Sequence, residues 1–226
     1  MIKITFPDGS IKEFNEGVTS LEIATGISAS LVKKCIIAKV NGELYDLVCP
    51  IMNDATFELI TGNTVELQDV LNHSCAHLLA TAIKELYPNA CFGVGPAIEE
   101  GFYYDIDLGN ASIKEEDFPA IEKEMKKISK DGKRIVRQEL SREEALEKFK
   151  DDLYKIDLIN NMDEGSVITC YTQGDFTDLC RGPHVETVKV LKNFKLLKAS
   201  GAYWKGDANN KMLQRIYGIC FETEED

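Results

Sequence analysis

Eighteen residues, Asp69 to Leu86, constrain this chain more than any other stretch. At a helical step of ~100° per residue, Leu71, Cys75, Leu78, Leu79, Ala82, Ile83 and Leu86 fall into one apolar stripe. Pro88 stops the helix soon after. His73 and His77 lie one turn apart and share a face with Thr81 and Lys84, off the leucine stripe and bordered by the small Ala76 and Ala80. The third and last histidine, His184, closes a second cluster, Asp178-Leu-Cys-Arg-Gly-Pro-His184. Every imidazole therefore sits in one of two short motifs suited to metal binding or acid–base chemistry. Two buried, hydrogen-bonded histidines would account equally well for an arbitrary pair at this spacing. Here the position off the stripe, and small neighbours that leave room for a ligand, favour a functional pair.

The first 62 residues read as a domain of their own. Ile2 to Phe6 alternates like a strand, Pro7-Asp8-Gly9-Ser10 is a turn, and Ile11 to Phe14 pairs back as a hairpin. Helical segments are expected at Ser20 to Ile27 and Ser30 to Lys34, then a strand at Ile36 to Val40, a turn at Asn41-Gly42 and a last strand at Thr56 to Ile60. That order is ubiquitin-like. Asp8, Glu13, Glu16 and Glu22 read as solvated surface. Thr61-Gly-Asn-Thr64 marks a boundary, and the histidine helix opens the second domain.

Beyond it, Cys91-Phe-Gly-Val-Gly-Pro96 is a glycine-rich turn whose two glycines predict close backbone approach, with a spacing unlike that of a nucleotide-binding loop. Asp117 to Ile128 is an amphipathic helix with Pro119 in its first turn, and Ser141-Arg-Glu-Glu144 is a capping box opening another helix. Lys133 to Leu140 reads as a strand between them. Val167 to Tyr171 is a strand expected to deliver Asp178 to His184 on the loop after it, and Lys155 stands out where the chain approaches that cluster. From Phe194 to Phe221, strand-like runs are interrupted at Ser200-Gly201 and Gly206 to Asn210.

The chain has ample length for a core, and no apolar run approaches a membrane span. Its start is strand-like, not a signal peptide. Seven cysteines without scaffold spacing predict free thiols in a reducing cytoplasm. A net charge of −12 weighs against nucleic acid, but from Thr187 to Tyr217 seven basic residues (Lys189, Lys192, Lys195, Lys198, Lys205, Lys211 and Arg215) face one acid, Asp207. Such lysines are usually a solvated face. Interleaved with Phe194, Tyr203 and Trp204, they are also a candidate to hold a phosphate backbone beside stacking rings.

His73, His77, Cys180 and His184 are the residue types of a zinc site. Without metal, the same set is suited to orienting and deprotonating a water, with Asp178 to hold an amino group and Lys155 to steady an oxyanion.

Four ordered motifs, His73-Ser-Cys-Ala-His77, Gly95-Pro96 to Gly101-Phe-Tyr-Tyr-Asp105, Asp178 to His184, and Gly201-Ala-Tyr-Trp-Lys-Gly-Asp207, resemble the amino-terminal half of bacterial threonyl-tRNA synthetases. The resemblance runs along essentially all 226 residues. It implies an α+β chain: a small ubiquitin-like β-grasp (TGS) domain over 1–62, then a larger α+β editing domain over 63–226, of the threonyl/alanyl-tRNA synthetase second-additional-domain type. It implies hydrolysis of the ester of mischarged seryl-tRNA(Thr), with His73 and Lys155 catalytic and His77, Tyr104, Asp178, Cys180 and His184 holding the substrate. The implied partners are the serine-bearing acceptor end of tRNA(Thr) and the synthetase's remaining domains, the class II catalytic core and the anticodon-binding domain. No membrane is involved. The residues before Asp226 look like the approach to that core, so an amino-terminal piece without ATP-dependent ligase activity is expected. No cofactor is expected. Alanyl relatives look like zinc hydrolases, whereas threonyl editing domains are usually described as metal-free, so zinc at His73, His77, Cys180 and His184 is not favoured. The rival expectations are a non-enzymatic tRNA-docking module, a closed structural zinc module and a freestanding aminoacyl-tRNA deacylase.

Overall fold

A computed structural model describes residues 1–225. Contacts divide the chain into two compact units, Met1–Val70 with Gly182–Glu186, and Leu71–Arg181 with Thr187 onward.

The first unit begins with a hairpin of β1 (Ile2–Thr5) and β2 (Ile11–Phe14). Strict alternation drives it, since Ile2 and Ile4 point into the core while Lys3 points out. A short β3 (Val18–Thr19) leads into α1 (Ser20–Ile27) and α2 (Ala29–Lys34). Thr19 and Glu22 form a reciprocal capping box at the start of α1, so Glu22 is a cap and not idle surface. Then come β4 (Ile37–Val40), β5 (Glu43–Tyr45), a short β6 (Pro50–Ile51) pairing with β3, and β7 (Ala55–Ile60). Asn41 and Gly42 both take positive φ (52° and 82°), the tight turn that joins β4 to β5. The sheet order is β2-β1-β7-β4-β5, with β1 and β7 parallel at its centre, a β-grasp arrangement. Ile2, Ile4, Ile23, Ala38, Leu47 and Phe57 form its core.

Helix α3 (Val65–Leu86) contains the whole histidine stretch but starts four residues before Asp69, and the division between units falls after Val70. Within the first unit, Glu66 of this helix pairs with Lys39 at 2.9 Å.

The second unit contains β8 (Cys91–Phe92), β9 (Ala97–Ile98), β10 (Gly101–Asp107), α4 (Phe118–Asp131), β11 (Val136–Leu140), α5 (Arg142–Lys148), α6 (Leu153–Asn160), β12 (Ile168–Gln173), β13 (Phe176–Leu179), β14 (Asn193–Tyr203) and β15 (Met212–Phe221). One antiparallel sheet runs β14-β15-β10-β8, and a second runs β11-β12-β13. The predicted amphipathic helix is α4, ended by Gly132 in the left-handed region (φ 66°). The predicted capping box opens α5.

Lys155 sits on α6, as the helical, charged pattern from Lys114 to Leu158 predicts. Two expectations change. Asp178 is not on a loop: it lies on β13, which pairs back onto β12. Finally, Ser200-Gly201 does not interrupt the last strands, because pairing with β15 carries β14 straight through it.

Candidate active site

Most of α3 is enclosed. His77 and Thr81 are buried along with Leu71, Cys75, Leu78, Leu79, Ala82 and Ile83, and Ala76 and Ala80 are fully covered. The polar face at His77 and Thr81 therefore looks into protein, while Lys84 and Leu86 at the helix end are exposed. His77 can be buried because its surroundings are polar. Its Nε2 lies 3.3 Å from Asp178 Oδ2, and its backbone carbonyl accepts from Thr81 Oγ1 (2.8 Å) and Gln173 Nε2 (3.1 Å). Burial, opposed by the Asp178 charge and assisted by His73 and Lys155, drives the His77 pKa down to about 4. At neutral pH it is an uncharged imidazole.

Behind His77 lies a closed ionic network. The Lys155 ammonium is 2.6 Å from Asp178 Oδ1, donates to the Gly93 carbonyl at 2.7 Å, and lies 3.1 Å from the Tyr104 hydroxyl. Tyr104 in turn donates a short hydrogen bond to Asp178 Oδ2. Lys155 is 3% exposed and Asp178 1%, so both charges are held away from water. Burial pushes the Asp178 pKa up, but Lys155, His77 and the Tyr104 hydrogen bond outweigh it and keep the carboxyl below its ordinary range. Burial and the adjacent carboxylate raise the Tyr104 pKa well above its usual value, so it stays a phenol.

The more open part of the site is His73 and Cys180. Both are half-buried, and His73 Nε2 lies 3.3 Å from Cys180 Sγ. The His73 and His77 rings meet edge to face with centroids 5.5 Å apart. Cys180 is fixed where β13 ends, its N–H donating to the Thr169 carbonyl (3.1 Å) and its own carbonyl accepting from the Thr169 hydroxyl. Ligand atoms of His73, His77 and Cys180 lie within 4.8 Å of one another.

The second unit thus brings six predicted residues together: His73, His77, Tyr104, Lys155, Asp178 and Cys180. His184 belongs to the first unit, on Gly182–Glu186, where it is buried and its N–H donates to Asp46 Oδ1 at 2.7 Å.

Supporting residues went unnoticed in the sequence. Asp152 caps α6 by accepting from the N–H groups of Tyr154 (3.1 Å) and Lys155 (3.3 Å), and its other oxygen accepts from Phe92 N–H at 2.7 Å. It therefore ties the helix bearing Lys155 to β8. An Asp directly before Leu153-Tyr154 is an N-cap signature that could have revealed both cap and helix start. The close approach predicted at Gly93 and Gly95 is to the chain's own rings. A Cβ at Gly95 would overlap the Tyr104 ring, and one at Gly93 would press on Trp204.

The basic stretch is less free than it reads. Lys195, Lys205, Lys211 and Arg215 pair with Glu122, Asp157, Asp107 and Asp105, respectively. Trp204 is buried, packs on Tyr154 at 5.0 Å between centroids and donates to Asp157, so it offers no stacking face to a base. All seven cysteines are free, and no helix among the described residues is long and apolar enough to cross a membrane.

Comparison with known proteins gives the arrangement its context. Residues 2–61 match the TGS domain, and residues 168–217 match the threonyl and alanyl tRNA synthetase second additional domain. Along all of its length the chain is similar to threonine–tRNA ligases, 51% identical to that of Enterococcus faecalis over 225 residues and 55% to that of a Geobacillus species over 229. The chain is thus similar to one part of the threonine–tRNA ligases and carries matches to two domain families. It is likewise 53% identical to the threonine–tRNA ligase of Anoxybacillus flavithermus. It spans 35% of the length of each of these curated relatives. In the α+β chain seen here, the β-grasp sheet falls within the TGS match and the second-additional-domain match follows it.

Proposed function

We propose that this region hydrolyses the ester of serine wrongly attached to tRNA(Thr). Serine is threonine less one methyl, and a pocket resolves a missing methyl by only about 1–3 kcal/mol, roughly 10- to 200-fold. A synthetic site therefore releases mischarged product. A second pocket that admits serine and clashes with the threonine methyl corrects the error by exclusion.

The observation that carries this reading is the pairing of an accessible imidazole with a buried charge network. His73 is half-buried beside Cys180, while His77, Asp178, Lys155 and Tyr104 lock one another behind it. In the proposed mechanism, His73 positions the attacking water and takes its proton. His77, neutral and held by Asp178, packs edge-on to His73 and sets its ring plane. Lys155 and Asp178 are occupied with each other, so their part is electrostatic. The ammonium supports negative charge developing on the ester oxygen, and the carboxylate, shared with Tyr104, favours the serine ammonium. Cys180, beside His73, completes the lining that holds the substrate. Cys180 needs no nucleophilic role, since an aminoacyl ester is labile enough for direct attack by water. The ligand-donor types of His73, His77 and Cys180 also suit zinc, and an Asp178 carboxylate on His77 is the kind of partner that orients a metal-bound imidazole. These three would hold the ion, which would acidify a bound water. The reading adopted here uses His73 without it, and stoichiometric zinc in protein purified without added metal would overturn that choice.

The test is hydrolysis of seryl-tRNA(Thr) and threonyl-tRNA(Thr) by the chain and by its His73→Ala variant. Loss of the seryl ester alone is expected, with a drop of about 10²- to 10⁴-fold in the variant, the range for a general base. Equal loss of both esters would refute the methyl-excluding pocket. Seryl hydrolysis unchanged by the substitution would remove His73 from the chemistry.

A further inference from the structure

Helix α4 and the turn before β14 build a concavity of about 350 Å³, lined by Lys126, Ser129, Lys130, Lys189, Lys192 and Phe194. It contains four ammonium-bearing side chains, no acid and one apolar ring. In a chain of net charge −12, that separation of charge is exceptional. All four lysines are exposed, and none has an acidic partner among the described residues. They differ in this from Lys195, Lys205, Lys211 and Arg215, each committed to a carboxylate.

The two halves of the patch are held together by built contacts. Ser129 is buried on α4, and its hydroxyl is shared between the carbonyls of Leu191 (2.8 Å) and Val188 (3.2 Å). Val188 N–H donates to the Lys133 carbonyl at 3.1 Å, and the Thr187 hydroxyl donates to the Gly132 carbonyl at 2.9 Å. These bonds fix the turn bearing Lys189 and Lys192 against the helix bearing Lys126 and Lys130. The backbones that present the cations are thus set before anything binds, and little ordering cost remains beyond the lysine side chains themselves.

We infer that this concavity is a docking site for the phosphate backbone of an RNA strand. Unpaired lysines on a pre-set frame gain from a run of closely spaced negative charges by releasing its condensed counterions. The Phe194 floor is almost covered and leaves no broad ring for base stacking, so the site reads charge and spacing without sequence. The inference rests on the proposed RNA substrate and names a face that holds it.

Binding of fluorescein-labelled, deacylated tRNA(Thr) to the full chain tests this, against a variant carrying Lys126→Gln, Lys130→Gln, Lys189→Gln and Lys192→Gln. Four neutralised phosphates correspond to a change of about 3 in the slope of log affinity against log salt, roughly 60-fold between 50 and 200 mM KCl. The wild-type slope should be steeper than the variant's by that amount, and Lys33→Gln with Lys34→Gln, outside the patch, should leave it unchanged. Equal slopes for wild type and the quadruple variant would overturn the inference. Stronger retention on phosphatidylserine vesicles than on tRNA would overturn the RNA assignment in favour of a lipid surface. Hydrolysis of a seryl ester of adenosine, which lacks the strand, separates this result from the catalytic reading. The quadruple variant should keep that activity at wild-type rate, which also shows that it is folded. Failure of His73→Ala to change that rate would count against the mechanism and leave the docking result standing.

Discussion

Lys155 is the residue whose environment says most about the site. Its ammonium donates to a carbonyl at 2.7 Å and a phenol oxygen at 3.1 Å and lies 2.6 Å from a carboxylate oxygen, so its charge is compensated on every side the network offers. A buried pair of this kind adds little net stability over an apolar replacement, because two charges lost their water to form it. Breaking it is another matter, since the survivor is left charged and unpaired. Asp178→Asn and Lys155→Met should each lower unfolding free energy by about 3–5 kcal/mol, and the double variant should cost clearly less than the two losses added. Urea unfolding of the three variants measures this. Strict additivity would show that the two charges are not each other's partners. Hydrolysis should fall in all three, because the network that fixes His77 is gone in each.

Elements differ in how plainly the sequence announces them. The α3 helix, the β1–β2 hairpin, α4 with its terminal Gly132 and the capping box of α5 all follow from local signals: period, turn residues and cap chemistry. The bounds of helix α6 are not legible, because Leu153, Tyr154, Ile156, Leu158 and Ile159 spread around it without an apolar stripe. The strand placement of Asp178 escaped because it depends on pairing with β12, a contact that no local pattern encodes. The site residues were legible through motifs, whereas their enclosure was not. Nothing in His73-x-x-x-His77 states that Gln173 from β12 will cap the helix carbonyl beneath His77. The glycines of the β8 turn show the same dependence. Gly95 lies so close to Tyr104 that a methyl there must displace the ring, so Gly95→Ala should cost about 1–3 kcal/mol and reduce seryl-ester hydrolysis by moving the Tyr104 hydroxyl off Asp178. Gly26, within α1 and in open space, supplies the contrast: Gly26→Ala should stabilise by about 0.4–1 kcal/mol. Thermal unfolding of both variants decides it, and a Gly95→Ala protein of undiminished stability and activity would mean that Tyr104 is not held as described.

At the scale of the whole molecule, the two compact units do not divide as two consecutive stretches of sequence. A short return segment, Gly182–Glu186, belongs to the first unit although the residues on both sides of it belong to the second. The sequence hides this, because Cys180 and His184 read as one motif on one loop, yet their assignments differ. Asp46 accounts for the return. It is buried at 5% exposure in the first unit and accepts the His184 N–H at 2.7 Å, so its carboxylate needs that donor to compensate for lost water. A hydrogen bond to a charged group contributes about 1.5–3 kcal/mol. Asp46→Ala should therefore speed hydrogen exchange at the His184 amide by roughly 10- to 150-fold, the same quantity expressed as a rate in the regime where opening limits protection. Asp46→Asn, which keeps an acceptor oxygen but not the charge, should fall between that variant and wild type. Exchange measured by mass spectrometry on a peptide covering 181–186 reads this directly. An unchanged rate in Asp46→Ala would mean that the segment is held by its neighbours and not by this bond.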